Sequence, residues 1–157
     1  MIGVIAAIRG GSVNFPLFLH VLGAMLLMGT LFAAALAIGM SWRRRWATPG
    51  LTRFGLRALP YGVLPAYILM RIGAQWTESR ENLPEQVEDS AWLGIGYITA
   101  DGGGILILVA IIVSIFGLRK LRAGGGGSRL AGAAGIISAL LVAVYVVTVW
   151  AMTTKPS

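Results

Sequence analysis

The sequence has no cysteine and only one histidine, His20. The first absence excludes disulfides, thiolate metal sites and a cysteine nucleophile. The second excludes haem held by two histidines of the same chain. No serine stands at a recognisable spacing from His20, so a serine-hydrolase arrangement is not expected either. Charge is scarce too. Only 12% of the residues are charged, against roughly a quarter in a soluble domain, and there are six acids against 13 bases.

What the chain has in abundance is unbroken apolar sequence, with 57% hydrophobic residues. A bilayer core is roughly 30 Å thick and asks for about 20 apolar residues per helical crossing. Four runs meet that length, at about 15–40, 56–76, 93–118 and 130–152. The first has His20 and Thr30 as its clearly polar side chains, the second contains Pro60, Pro65 and Arg71, and the third contains Asp101. The runs are continuous and do not alternate in and out with period two, which favours helices over a β-barrel. The expectation is an all-α, antiparallel bundle of four transmembrane helices, forming a single domain over residues 1–157.

The excess of base, +7 overall, is placed by topology and does not point to nucleic acid. Arg43, Arg44, Arg45, Arg53 and Arg57 lie between the first two runs, and Arg119, Lys120, Arg122 and Arg129 between the last two, with no acid among them. The middle connection instead holds Glu78, Glu81, Glu85, Glu88 and Asp89 beside Arg80. By the positive-inside rule the basic connections are cytoplasmic, the acidic one is outside, and both ends of the chain are extracytoplasmic. Trp42, Trp46, Trp76 and Trp92 fall where the rings would sit at headgroup level. In Met1–Gly11 the apolar run precedes Arg9, the reverse of a cleaved signal, so this stretch reads as an outer lead-in. The glycine-rich stretch 124–128 reads as a flexible cytoplasmic turn.

Small residues recur every fourth position at Gly29, Ala33 and Ala37, and again at Ala131, Gly135, Ala139 and Ala143. Such ladders let helix backbones approach closely in lipid. They predict tight packing of the first and last helices in their cytoplasmic halves, and a looser outer half with room for a site.

Ionisable groups inside a bilayer are costly, so each is a candidate for function. Counting about 1.5 Å per residue puts His20 and Arg71 each roughly 7 Å below the outer surface, and Asp101 between that surface and about 13 Å. Lys155, just past the last run, lies on the same side. These four residues form the candidate site. Arg71 could pair with Asp101, hold an anionic ligand group, or extend to the headgroups. The run Asp101 to Gly104 would let a planar ligand or a neighbouring helix come close. His20 could ligate a haem alone, with a methionine, or with the same residue of a second subunit. With thioether sulfur from Met28 or Met152 it could hold copper, and it could equally serve as a structural hydrogen bond between helices.

The segment from Leu19 to Thr30 resembles the first-helix signature of the CopD-like superfamily of small bacterial integral membrane proteins. His20, Gly23, Ala24 and Gly29 match that signature, while Leu27 and Thr30 stand where tryptophan and a second glycine are usual. The closing Lys155-Pro156 is similar to the end of an uncharacterised branch of that superfamily and, more distantly, of HemJ-like haem-binding proteins. The resemblance implies a bacterial inner-membrane protein, with His20 and Lys155 accompanying haem b. The expected function is binding of haem b or a related redox ligand at the outer leaflet, for electron transfer or porphyrin handling. The alternatives are copper handling, and a cofactor-free accessory subunit of a larger membrane complex or a homodimer. No complete catalytic set is legible, so the chain is not expected to be an enzyme on its own.

Because the chain lacks cysteine, single cysteines report sidedness without background. Glu85→Cys is expected to react with a membrane-impermeant maleimide on intact spheroplasts, and Arg122→Cys only after the membrane is opened. The opposite pattern would invert the assigned orientation.

Overall fold

The computed structural model describes residues 11–43, 49–81, 91–124 and 128–154. These residues are helical apart from a turn at Ala123 and Gly124, where Gly124 adopts a positive φ of 74° that closes the helix before it. The elements are α1 (Gly11–Arg43), α2 (Pro49–Ala58), a π-helical turn (Leu59–Val63), α3 (Leu64–Glu81), α4 (Ala91–Arg122) and α5 (Ser128–Thr154). The lead-in, the heart of the acidic connection with Glu85, Glu88 and Asp89, and the residues Trp46 and Lys155 lie outside the described residues.

Three helices are long and apolar enough to cross a membrane, over Asn14–Trp42, Gly94–Arg122 and Arg129–Ala151, each with mean hydropathy of at least 2.3. They coincide with the first, third and fourth runs of the sequence. The chain is therefore a membrane protein. The second run, expected as one helix over 56–76, is instead divided between α2, the π turn and α3. Its prolines explain the division. Pro65 has no amide to offer, and its ring crowds the carbonyl four residues back, that of Tyr61. Widening the turn relieves the crowding, and the Leu64 amide reaches back five residues to the Leu59 carbonyl.

The helices share one apolar core. Leu27, Leu31, Ile38, Leu56, Leu59, Ile107 and Leu141 are fully buried in it. Two core serines return their hydroxyls to their own helices, Ser114 Oγ to the Ile111 carbonyl at 2.7 Å and Ser138 Oγ to the Ala134 carbonyl at 2.8 Å. Each polar atom is thereby satisfied where no water reaches it. The outside is apolar as well: Phe18, Met25, Ile98, Ile105 and Leu140 are more than half exposed. That inversion of a soluble surface suits lipid contact.

The helices run antiparallel. His20, Gly73, Asp101 and Thr148 gather at one end, called here the acidic end after Glu78, and Ser41, Gly55, Gly117 and Gly132 gather at the opposite, basic end. The small-residue ladders are used only in part. At the basic end Ala37 and Ala131 are buried, Gly135 receives the Ile38 side chain and Gly132 lies under the Trp42 ring, so α1 and α5 do meet there. Gly29, Ala139 and Ala143, however, face outward. The closest backbone approach is elsewhere, between α1 and α3 at the acidic end. A Cβ on Gly23 would strike the Met70 backbone, and one on Gly73 would strike the His20 backbone. The half expected to be loose thus holds the tightest crossing. The reason is that each glycine admits the backbone of the other helix, Gly23 that of Met70 and Gly73 that of His20, whereas an alanine leaves its Cβ in place.

Gly23→Val or Gly73→Val is therefore expected to lower stability by about 2–3 kcal/mol or to prevent folding, because backbone cannot yield to an added side chain. Gly29→Ala, with open space beside it, is expected to leave the melting temperature in detergent unchanged. Equal melting temperatures for all three variants would show that the crossing is not closely packed.

Candidate functional site

His20 sits in α1 at the level where Gly73 lets α3 touch the α1 backbone. From there its imidazole crosses to α3 and Nδ1 donates to the Met70 carbonyl at 3.1 Å. A carbonyl only accepts, so the bond places the proton on Nδ1 and leaves the Nε2 lone pair uncommitted to it. His20 is half-buried. One turn nearer the acidic end, the edge of the Phe15 ring meets the Trp76 ring at 5.9 Å, again joining α1 to α3.

Arg71 follows Met70, and one step along a helix turns a side chain by about 100°. It consequently faces α4 and not His20. Its Nη2 lies 2.9 Å from Asp101 Oδ1. Of the three roles open to Arg71 in the sequence, the structure selects the ion pair. In a low-dielectric surround the two charges offset each other's desolvation, which leaves Arg71 committed and less free to hold an anionic ligand.

Two residues that the sequence reading missed complete this layer. Tyr67, four residues before Arg71 and on the same face of α3, donates its hydroxyl to the Ala100 carbonyl at 2.8 Å. Tyr145 of α5 is buried with its hydroxyl against Gly103, where a Cβ would come within 2.7 Å. A Cβ on Gly104 would strike the Tyr67 hydroxyl. The glycines after Asp101 therefore make room for tyrosines from two other helices, not for a planar ligand. Their pairing with tyrosines one helix away has no local signature, although adjacent glycines inside an apolar run are themselves a sign of close approach. Nearer the acidic end, Thr148 Oγ1 donates to Thr99 Oγ1 at 3.0 Å, and the Tyr97 hydroxyl donates to the Glu78 carboxylate. The hydroxyls thus link α3 to α4 and α4 to α5 in succession.

Of the four groups expected to converge, Arg71 and Asp101 meet in an ion pair, while His20 reaches the Met70 carbonyl instead. Lys155 and the side chain of Met152 lie outside the described residues. Met28 is on α1 two turns beyond His20, about 12 Å along the axis, and long helical side chains lean toward the helix start. That separation is too long for both to ligate one ion. Among the described residues, no group of three or more His, Cys, Asp or Glu could hold a metal.

The ion pair is open to a double-mutant cycle. Arg71→Leu and Asp101→Leu are each expected to lower the melting temperature, since each strands a charge, and the double variant is expected to recover part of the loss. A coupling of more than about 1 kcal/mol is anticipated. Strictly additive effects would mean that the two side chains do not interact.

No family model matches the chain, and no curated protein or solved structure does so either.

Proposed function

We propose that this is a four-span protein of the bacterial cytoplasmic membrane in which His20 would hold haem b or a related redox ligand near the outer surface. The observation that favours it is the hydrogen bond from Nδ1 to the Met70 carbonyl. Imidazoles that ligate metal commonly donate their other ring nitrogen to a carbonyl, which fixes the tautomer and raises the basicity of the ligating nitrogen. The fit is to one imidazole nitrogen, Nε2. The α1 and α3 backbones touch at His20, so the group would be held from outside that helix pair, with His20 of a second copy as a further donor. Bound haem would supply one-electron chemistry, and this chain would hold the imidazole in place. Lys155 is the residue that the CopD-like resemblance offers for an acidic group of the ligand.

The fourth crossing in this reading is α2, the π turn and α3 taken together. Gly55 receives Ile38 at the basic end, and Gly73 meets His20 at the acidic end, so the composite helix accompanies α1 along the length between them. The loop charges then put the acidic end and both chain ends outside.

A second reading is a cofactor-free accessory subunit. It is favoured by the outward-facing Gly29, Ala139 and Ala143, small residues that no described helix packs against.

Protein produced with haem supplied is expected to show a Soret band that His20→Ala abolishes while its melting temperature stays measurable. No band in the wild type after haem addition sinks the haem reading. Co-purification of a stoichiometric partner by that cofactor-free protein would favour the second.

A further inference from the structure

Between α3 and α4 the packing opens into a cleft of about 350 Å³. Its walls are Leu64 and Ile68 on one side and Ile105 and Leu108 on the other, its floor includes Gly104, and Asp101 stands at one end. The geometry follows from antiparallel register. Leu64 lies seven residues before Arg71 and Leu108 seven after Asp101, so an apolar trough about 10 Å long runs away from the ion pair. Ile68 and Ile105 are exposed at the cleft mouth, which opens to the lipid side. Tyr67 also lines the cleft, the hydroxyl end of its ring lying on Gly104 while the hydroxyl donates to the Ala100 carbonyl.

The polar end decides what fits. Asp101 lies seven residues inside the apolar stretch Gly94–Arg122, about 10 Å along the helix from its start. Its side chain is 66% exposed and its Oδ1 faces Arg71. The pair is charge-balanced, so a head that carries its own charge finds no free partner there: an anionic head meets the Asp101 carboxylate, and a cationic one meets a carboxylate already paired to Arg71. A compact, neutral ring with its own hydroxyl or carbonyl oxygens satisfies both ends: it offers a donor to the Asp101 carboxylate or an acceptor to the Arg71 guanidinium, and an apolar tail to the trough.

We propose that the cleft between α3 and α4 is a binding site for a membrane-dissolved quinol or quinone, its ring oxygen at the Arg71–Asp101 pair and its tail between Ile68 and Leu108. This goes beyond the haem reading and stands without it.

The test uses the full-length protein in phosphatidylcholine nanodiscs with decyl-benzoquinone as the probe, read by tryptophan quenching. Saturable quenching is expected, with affinity at least about tenfold weaker when the trough is filled by the outward-facing changes Ile68→Phe and Leu108→Phe together, and also weaker in Asp101→Asn. If Asp101→Asn does not fold, the trough-filling variant decides alone. Quenching that never saturates, that is the same in the trough-filled protein, or that decyl alcohol displaces as well as the unlabelled quinol does, overturns the proposal.

Discussion

The close contact of α1 with α3 at Gly23 and Gly73 is the constraint on which the rest of the structure depends. Lipid is as apolar as leucine, so burying leucine between helices gains little over leaving it in lipid, and association rests on dispersion and polar contacts that need near approach. Two glycines supply it. With their Cβ positions empty, the Met70 carbonyl comes within reach of His20, and the α3 face one step further round is turned toward α4. Arg71, Tyr67 and the wall of the cleft all follow from that placement of α3.

A second constraint shapes the polar side chains. No water is present in a bilayer core to satisfy a hydroxyl or a charge, so a partner in the protein is strongly favoured, and among the described residues the buried Tyr145 hydroxyl is left without one. Thr30, Ser41, Ser114 and Ser138 bond to carbonyls in their own helices, which asks nothing of neighbouring elements. At the acidic end the solution is different. His20, Tyr67 and Arg71 all reach to other helices, so this end is cross-linked by polar contacts where the basic end is joined by small residues and aliphatic packing. The candidate functions, a redox ligand on His20 and an amphiphile against Asp101, both draw on these long-reaching groups. Neither requires the basic end.

Much of this was legible in the chain itself. Length and hydropathy located α1, α4 and α5, because a helix that satisfies its own backbone in lipid needs only a sufficient apolar run. The pairing of Arg71 with Asp101 was among the options because two opposite charges inside a bilayer have strong reason to meet. The interruption by a π turn was less accessible: Pro60 and Pro65 announce a distortion, but whether the helix kinks, breaks or widens depends on what packs beside it. The ladder at Gly29, Ala139 and Ala143 misled, since a four-residue spacing shows only that one face is small and not which helix uses it.

The sequence alone thus determined the helical class, the presence of membrane-crossing segments and the residues costly enough to matter, all of which follow from local composition and the solvent it implies. Only the tertiary structure decided which faces meet. It put the tightest crossing at the acidic end and gave His20 a backbone carbonyl as its partner. It filled the glycine run with tyrosines and left a cleft beside Asp101. Those outcomes depend on the rotation of each helix about its own axis, which the packing of neighbouring helices sets and no single helix encodes.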